Sequence, residues 1–317
     1  MRDIIVIGAG AVGAFIAREL SRYELDVLVL ERENDVGDAT SMANSAIVHS
    51  GYDPVPGTKK ARFNVEGNAM FPTLSEELDV EFEQIGSMTI AIEDSQLPML
   101  EELRKRGEAN GVPVQLLNAE EVLALEPNVN PEVKAALLCP TAGIINPFTL
   151  VAHCFENALD NGVHLSLGEE VNGIIVHDGY FEVRTSKGSH EAKVVINAAG
   201  IRSGVIASLV EEVPWTIRPR KGEYYVLDHF APDFVNHVLF PLPSEKGKGV
   251  LVTRTTSGDY LVGPSSEWVD DFDDHSTDSP TLAAVKAQAS STVPRGPFLC
   301  FATMTSAMLS GVCSSRL

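Results

Sequence analysis

Cysteine is scarce in this sequence, and its spacing carries no metal or disulfide signal. The 317 residues include four cysteines, with no C-x-x-C pair and no spacing to histidine that is typical of zinc sites. We therefore expect no metal ion, and we expect a reducing, cytoplasmic location. The cysteines are Cys139, Cys154, Cys300 and Cys313.

Basic residues are also few. Lysine and arginine number 24 against 44 aspartates and glutamates, so the net charge is -20 at pH 7. An acidic chain is poorly suited to the phosphates of nucleic acids or anionic membranes, and an anionic small-molecule substrate would need a local basic pocket. Beyond the N-terminus, no apolar run approaches the roughly 20 residues that a membrane span requires. We expect neither nucleic acid nor an integral membrane segment.

The N-terminus has the pattern of a strand, a glycine turn and a helix. Arg2 followed by IIVIGAGAVGAFIA superficially resembles a signal-peptide core, but its three regularly spaced glycines favour another interpretation. Ile4 to Ile7 form a short β-branched strand, and GAGAVG then opens a helical pattern. A second strand, DVLVLE, ends at Glu31, 18 residues beyond Gly13. This βαβ order with a terminal acid is typical of a dinucleotide-binding fingerprint.

Each glycine of the turn has a physical reason to be there. Gly8 permits the tight turn, Gly10 lets the backbone approach a pyrophosphate, and Gly13 lets the helix pack closely on the sheet. The helix N-terminus adds N–H donors and a positive dipole end. Glu31 is positioned for a ribose with a free 2′-hydroxyl, although a glycine-rich turn without a nucleotide is the alternative. The turn residues expected to contact a cofactor are Gly8, Ala9, Gly10, Ala11, Val12 and Gly13.

A small, polar loop follows the second strand and bears on the choice between NAD and FAD, which the fingerprint leaves open. In a flavoprotein, GDATSMANSA can run along the diphosphate and the ring system, where short polar side chains donate hydrogen bonds without filling the space. The alternative is an ordinary loop, since Ser, Thr and Asn are frequent in loops. We predict FAD from this loop. Its candidate donors are Thr40, Ser41, Asn44 and Ser45.

The middle of the chain mixes helices and strands. Thr58 is positioned to cap one helix, and Asn146 with Pro147 predicts the start of another that runs to about Asp160. VEFEQIGSMTIAI alternates like one strand, and VNGIIVHDG with YFEVRTS predicts a hairpin. AKVVINAAG has the pattern of a buried strand. Its small terminal residues allow either a close approach of backbone to cofactor or tight packing in a parallel sheet.

His49 stands in NSAIVHSGYDP, among small residues and just before a glycine and a turn. An imidazole titrates near neutral pH, so it can serve as a catalytic base or remain a hydrogen-bonded structural residue. The pattern alone leaves both interpretations open, because the answer depends on what surrounds the ring in space.

Five blocks of this sequence together resemble one family. They are DIIVIGAGAVGAFIARELSRYELDVLVLERE, TSMANSAIVHSGYDPVPGTKKARFNVEGN, AGIINPFTLV, VVINAAGIRS and RPRKGEYYVLD. The chain resembles the FAD-dependent oxidoreductases of the D-amino-acid oxidase superfamily, most closely the flavin-dependent glycerol-3-phosphate dehydrogenases and oxidases. L-2-hydroxyglutarate dehydrogenases and oxidases are similar as well. The resemblance covers about residues 1 to 294, and its HSGYDP and RPRKGEY blocks are more specific than the glycine motif.

The resemblance implies an α/β fold with two domains. A Rossmann-like FAD-binding domain is expected from residues 1–85 and 142–215. An α+β substrate domain with a mostly antiparallel sheet is expected from residues 86–141 and 216–294. Carried over by position, the resemblance also implies FAD contacts along the fingerprint, the polar loop and two later segments. The residues it implies are Gly8, Gly10, Gly13, Glu31, Arg32, Thr40, Ser41, Ser45, Val171, Ala199 and Gly200.

The resemblance further implies the chemistry. Oxidising a secondary alcohol requires hydride transfer from carbon to flavin N5 and removal of the hydroxyl proton, for which an imidazole is suited. In the glycerol-3-phosphate branch the histidine matching His49 is the base, and the serine matching Ser45 lies by the substrate. Lys248 is expected to bind the anionic group, although KGKG is more often a solvated turn. Further positive potential is expected from Arg218, Arg220 and Lys221.

The chain changes character after Pro294. The segment RGPFLCFATMTSAMLSGVCSSRL contains no Asp or Glu and carries two of the four cysteines. Relatives continue here into a segment with a substrate-binding arginine and a Gly-Asp block that closes over the flavin, and this sequence has neither. We interpret residues 295–317 as an aberrant tail from truncation or a reading-frame change. Lower FAD affinity and stability than in complete relatives is the expectation.

Three functions follow as hypotheses. The first is FAD-dependent oxidation of glycerol 3-phosphate to dihydroxyacetone phosphate, with His49 as base. The second is oxidation of a 2-hydroxy acid such as L-2-hydroxyglutarate. The third is an inactive, truncated flavin-binding fragment. In either enzyme the electrons pass to an acceptor that the sequence leaves open: oxygen, a quinone or a partner protein.

Overall fold

The computed structural model describes residues 1–228, 233–243 and 249–294, together with the backbone of a strand at 308–313. Lys248, the predicted substrate-binding lysine, lies outside the described residues, as does most of the predicted tail at 295–317. Within the described part of the chain, no helix is both long enough and apolar enough to cross a bilayer.

Helices and strands mix along the whole chain, and the predicted α/β class is confirmed. The helices are α1 Ala11–Leu20, α2 Lys59–Glu77, α3 Leu97–Ala109, α4 Ala119–Leu125, α5 Pro147–Asp160, α6 Ser203–Ala207 and α7 Ser279–Thr292. The strands are β1 Arg2–Ile7, β2 Val27–Leu30, β3 Ile47–Val48, β4 Phe82–Glu83, β5 Ser87–Ala91, β6 Gln115–Asn118, β7 Ala135–Cys139, β8 Gly143–Ile145, β9 His164–Ser166, β10 Val171–His177, β11 Tyr180–Thr185, β12 Gly188–Asn197, β13 Arg220–Leu227, β14 Val238–Pro241, β15 Leu251–Arg254, β16 Tyr260–Gly263, β17 Glu267–Trp268 and β18 Met308–Cys313.

The first sheet contains the glycine fingerprint. Its six strands follow the order β10-β11-β12-β1-β2-β9. The four strands from β12 to β9 are parallel, and β10 and β11 form the predicted antiparallel hairpin. Val6 and Val29 are fully buried, as expected of parallel strands covered on both faces. The carboxyl ends of β12, β1 and β2 meet at one edge, which is where open α/β sheets bind their ligands.

Two helix starts were correctly predicted from their caps. The Thr58 hydroxyl accepts the N–H of Ala61 at the start of α2, at 3.2 Å. The Asn146 side chain accepts the N–H groups of Phe148 and Thr149 at the start of α5, at 3.1 and 3.2 Å. Since α1 and α5 pack together on the first sheet, the Asn146 cap holds α5 in the helix layer beside the fingerprint.

The second sheet is larger and mostly antiparallel. Its main path is β17-β13-β16-β15-β14-β5-β7-β6, with β18 pairing antiparallel to β13 and a parallel pair at β14 and β5. Apart from β18, its strands come from residues 87–139 and 220–268, whereas the first sheet comes from residues 2–30 and 164–197. The predicted domain boundaries stay a proposal that this distribution motivates.

The prediction of one continuous strand in VEFEQIGSMTIAI is wrong. The segment forms β4 and β5, which are separated at Gly86, where φ is +73°. The Gly86 N–H donates to the carbonyl of Ala142, so the chain turns here. β4 belongs to a third small sheet, β3-β8-β4, and β5 belongs to the second sheet. This small sheet positions His49, which directly follows β3.

Candidate functional site

The glycine turn is dictated by backbone contacts. Gly8 has φ +106°, and a Cβ there would lie 2.6 Å from the carbonyl oxygen of Ala198. A Cβ on Gly13 would lie 1.9 Å from the carbonyl oxygen of Gly8. Both distances are far below van der Waals contact, so side chains at these positions would force backbone apart. The turn therefore leaves a bare backbone surface at the carboxyl end of β1, as a pyrophosphate requires.

The N-terminus of α1 opens onto that surface. The Ala11 N–H donates to the Ser41 hydroxyl at 2.9 Å, and no acidic side chain lies in the first turn of the helix. Val12 is 65% exposed in this turn, although it is apolar. The positive end of the helix dipole is thus left for an anion, which fits the diphosphate of a dinucleotide.

Glu31 is fixed at the end of β2. Its carboxylate accepts the N–H of Ala9 at 2.6 Å and the N–H of Glu33 at 2.9 Å. A carboxylate has about four acceptor directions. Two acceptor directions remain after these bonds. The carboxylate can therefore still accept hydrogen bonds from ribose hydroxyls while it stabilises the glycine turn.

The two later segments predicted to contact FAD lie at the same sheet. Ala199 and Gly200 follow β12, where the Ala199 N–H donates to the side chain of Asn197 at 3.2 Å and Gly200 has φ +54°. Val171 begins β10. The structure thus gathers the predicted adenosine and diphosphate contacts around β1, β2 and β12. We call this region the nucleotide end; its role in binding FAD stays a proposal.

Arg32 is engaged with acids, which the sequence did not indicate. Its guanidinium lies 2.7 Å from Glu33 and 3.2 Å from Asp273, whose other oxygen lies 2.6 Å from Arg202. Hydrogen bonds from Arg202, and then Arg32, hold the pKa of Asp273 below its usual range. Asp273 belongs to the loop between β17 and α7, so this loop contacts the nucleotide end at Arg32, after β2, and at Arg202, after β12.

A cavity of about 890 Å³ lies on the other side of the polar loop, between that loop and the second sheet. This volume is in the range of small-molecule sites, which is about 300–1,000 Å³. It brings predicted residues of the loop together with residues of β13, β14 and the following loops. Prominent lining residues are Thr40, Asn44, Ser45, His49, Arg220, Tyr224 and Phe240. We call it the ring-end cavity.

His49 and Ser45 both face this cavity and contact residues that were not singled out from the sequence. The His49 ring stacks on Phe240, with centroids 5.9 Å apart and planes 29° apart. The Ser45 hydroxyl lies 2.8 Å from the Tyr224 hydroxyl. Burial raises the pKa of Tyr224 to about 12, so it stays a neutral phenol at physiological pH. Tyr224 stands within the RPRKGEYYVLD block, but strand alternation does not reveal its partner.

Asn44 was predicted to donate hydrogen bonds to FAD. In the structure its amide donates to the carbonyls of Thr40 and Ser41, at 3.1 and 2.8 Å, while its side-chain oxygen accepts the N–H of Ala46 at 2.7 Å. Both amide hydrogens are therefore committed to the loop itself. A hydrogen bond from the Asn44 amide to the cofactor therefore stays a prediction.

The basic residues expected near the substrate lie in different surroundings. Lys221 is buried, and its ammonium donates to Asp274 at 3.0 Å and to Ser276 at 3.1 Å. Arg218 lies 3.2 Å from Asp270. These cations are paired with acids of the β17–α7 loop. Arg220 lines the ring-end cavity, with its guanidinium 5.3 Å from the Trp268 ring centroid.

One group of carboxylates among the described residues has metal-like proximity. Atoms of Glu223, Glu267 and Asp278 lie within 4.8 Å of one another. Lys221 supplies a positive charge 3.7 Å from Glu223, and burial raises the pKa of that glutamate. The expectation of no metal stays a prediction.

The glycine cradle, the open helix N-terminus, the acid at β2 and the cavity together fit an FAD site. The model of the DAO family, FAD dependent oxidoreductase, matches residues 3–314. The chain therefore belongs to this family of FAD-dependent oxidoreductases.

Individual relatives show which enzymes of the family this chain is similar to. A glycerol 3-phosphate dehydrogenase of Caloramator mitchellensis is 44% identical over 268 residues, which are 84% of this chain and 56% of that enzyme. An L-2-hydroxyglutarate dehydrogenase of Escherichia coli K12 is 28% identical over 272 residues, 84% of this chain and 64% of that enzyme. The chain thus spans little more than half the length of the first relative.

A solved structure is similar in fold over nearly the whole chain. It is the dithionite-reduced L-α-glycerophosphate oxidase from Mycoplasma pneumoniae with FAD bound. The TM-score is 0.90 at 28% identity, and the match covers 99% of this chain and 83% of that one. The chain is therefore similar to glycerol-3-phosphate dehydrogenases and oxidases, and to L-2-hydroxyglutarate dehydrogenases as well.

Proposed function

We propose that this protein oxidises the secondary alcohol of glycerol 3-phosphate to the ketone of dihydroxyacetone phosphate, with FAD as its cofactor. The observation that carries the proposal is the common cavity of Ser45, His49 and Tyr224. The 44% identity to a glycerol 3-phosphate dehydrogenase supports the choice of substrate. Because the alignment spans 56% of that relative, the activity of the whole protein is part of the proposal.

The residues divide the work as follows. Bound FAD would supply the acceptor for the hydride that leaves the alcohol carbon. His49 takes the hydroxyl proton, which suits an imidazole because its pKa lies near neutral pH. Tyr224 holds the Ser45 hydroxyl in the cavity, and Arg220 gives the cavity positive charge for an anionic substrate. Lys248 stays a predicted contact of the phosphate.

A dicarboxylate is the second candidate substrate. L-2-hydroxyglutarate is also an anionic secondary alcohol, and the E. coli relative named for its dehydrogenation is 28% identical. The same proton acceptor and the same cation serve both alcohols, and a cavity of about 890 Å³ is large enough for either. The two substrates therefore have to be separated by experiment.

Anaerobic mixing of the flavin-loaded protein with each alcohol tests the proposal. We expect glycerol 3-phosphate to bleach the visible flavin absorbance and L-2-hydroxyglutarate to do so far more slowly. The reverse order would transfer the assignment to the 2-hydroxy acid. If neither substrate bleaches bound flavin, the protein is a flavin-binding chain without these activities. Where a substrate does bleach the flavin, reoxidation by oxygen or by a quinone analogue identifies the acceptor.

His49 is tested by exchange for alanine. We expect His49→Ala to retain FAD within about twofold while flavin reduction slows by about 10²–10⁴-fold, the usual contribution of a general base. His164→Ala is the matched control, because that side chain is 59% exposed and does not line the ring-end cavity. Unchanged reduction in His49→Ala would remove the base from the mechanism.

A further inference from the structure

Ala46 adopts a backbone conformation that alanine disfavours. Its φ is +54°, in the left-handed region, where a Cβ crowds the following carbonyl. Asp79 and Asp233 share such a φ, and aspartate tolerates it because its short polar side chain can bond locally. Alanine has no such group. Something outside the residue must therefore hold Ala46 in place.

The Asn44 amide supplies that hold. Its oxygen accepts the Ala46 N–H at 2.7 Å, and its nitrogen donates to the carbonyls of Thr40 and Ser41. The Asn44 side chain thereby connects Ala46 to Thr40 and Ser41 by hydrogen bonds. These bonds are available only when the loop is folded back on itself, so they favour the left-handed conformation over an extended one.

The turn lies between two anchored segments. On one side, the Ser45 hydroxyl bonds to Tyr224 at 2.8 Å. On the other side, the Ala46 carbonyl accepts the N–H of Ile145 at 3.0 Å, and β3 then pairs with β8 up to the residue before His49. The conformation at Ala46 therefore decides how Ser45 and His49 are directed relative to each other, and both line the same cavity.

We propose that Asn44 is a positioning residue for the ring-end cavity: it holds Ala46 in the left-handed conformation and so keeps Ser45 and His49 on one cavity. Its part in the reaction rests on the proposed function, because only that function makes the two side chains catalytic. The coupling between Asn44 and Ala46 is a property of the polypeptide itself.

A double-mutant cycle tests the coupling, with Asn44→Ala, Ala46→Gly and the two combined. Glycine adopts positive φ without the steric penalty, so it needs the Asn44 bonds less. In the wild-type background, we expect Asn44→Ala to raise the FAD dissociation constant about tenfold. In the Ala46→Gly background, we expect the same substitution to raise it no more than about threefold. Asn161→Ala is the matched control, since that exposed amide bonds a helix carbonyl at 2.7 Å far from the loop.

Flavin reduction at saturating FAD separates positioning from stability. A positioning role predicts that Asn44→Ala slows reduction by glycerol 3-phosphate at least about tenfold and that adding Ala46→Gly restores most of the rate. A purely structural role predicts a lower melting temperature with a normal reduction rate once FAD is saturating, which would overturn the proposal.

The apoprotein provides the readout that is independent of the function. We expect the loss of melting temperature caused by Asn44→Ala to be smaller in the Ala46→Gly background than in the wild type, without any FAD present. Equal losses in both backgrounds would overturn the coupling. If the wild type bound no FAD but showed the coupling, the proposed function would be wrong. The inference that Asn44 stabilises the conformation of Ala46 would still be supported.

Discussion

The nucleotide end and the ring-end cavity are held by different kinds of contact. At the nucleotide end the decisive contacts are backbone to backbone, as between Gly13 and Gly8 or between Gly8 and Ala198. At the ring-end cavity they are side-chain hydrogen bonds, such as the one that joins Ser45 to Tyr224 across 179 residues of sequence. Backbone atoms in close contact can move only slightly. The loss of a side-chain hydrogen bond, by contrast, leaves the fold intact and changes the orientation of the side chain that it held.

This difference sets the expected scale of damage. A changed glycine displaces main chain on which the parallel strands depend, so the loss is global. A changed polar side chain costs about 0.5–1.5 kcal/mol of hydrogen bonding, or more where a buried partner is left alone. We therefore expect substitutions at the nucleotide end to be all-or-none and those at the ring-end cavity to be graded.

The largest effect is expected from Gly13→Ala. The added Cβ would lie 1.9 Å from the Gly8 carbonyl oxygen, and relief requires moving α1 off β1. We expect at least about 4 kcal/mol of lost stability and no copurified FAD. Thermal unfolding and flavin content measure both.

Gly67→Ala is the control for that substitution. Gly67 lies within α2, and a Cβ there would meet no described atom within 4 Å outside the backbone of its own helix. Alanine should therefore stabilise the protein by about 0.5–1 kcal/mol. If Gly13→Ala retained FAD and melted like the wild type, the backbone argument for the nucleotide end would be wrong.

An intermediate effect is expected on acidification, and it concerns Glu169. Burial alone would raise the pKa of Glu169, but hydrogen bonds from Ser166, Thr185 and His190 outweigh it and lower the pKa to about 2. A carboxyl whose folded pKa is depressed contributes stability above its unfolded pKa, near 4.5, and loses it as the pH falls toward 2. The contribution at neutral pH is at most about 3 kcal/mol.

Glu169 also supports the nucleotide end directly. Its N–H donates to the carbonyl of Glu31, and that of Gly168 to Glu33, each at 2.7 Å. We expect the melting temperature of the wild type to fall between pH 5 and pH 3, and Glu169→Gln to be less stable at pH 7 with a shallower fall. The exposed neighbour provides the control, Glu170→Gln. Parallel curves for Glu169→Gln and wild type would contradict the assignment.

The sequence was sufficient for the strand, glycine turn and helix of the nucleotide end because local rules determine them. The glycine spacing, the acid after β2 and the caps at Thr58 and Asn146 each follow from contacts within a few residues or from one βαβ unit. The break at Gly86 was missed because alternation continues through it, and it becomes visible only when β4 and β5 are assigned to different sheets.

The ring-end cavity could be predicted only in part. Ser45 and His49 were singled out, but their partners Tyr224 and Phe240 come from strands of another sheet, and no spacing rule connects them. The intraloop bonds of Asn44 were not predicted, for a different reason. A polar side chain in a loop bonds either to a ligand or to its own backbone, and composition does not distinguish the two.

The smallest effect is expected from Asp273→Asn. This substitution tests whether the nucleotide end also depends on ion pairs between side chains. Asp273 joins Arg32 to Arg202 across the carboxyl end of β1. Because its side chain is 55% exposed, the pair of bridges is worth no more than about 1 kcal/mol. We expect FAD to dissociate about two- to fivefold faster from the variant at low salt.

Salt and a neighbouring aspartate make the Asp273 prediction specific. Salt weakens exposed ion pairs, and the screening length is about 10 Å at 0.1 M salt. The difference between variant and wild type should therefore shrink as salt is added. Asp270→Asn is the matched control, since Asp270 lies in the same loop, is 92% exposed and pairs with Arg218 instead. If Asp270→Asn released FAD as fast as Asp273→Asn, the loop would act through its total charge. The nucleotide end would then depend on its backbone contacts and on the side-chain bonds of Glu31 and Ser41, with no contribution from the two Asp273 ion pairs.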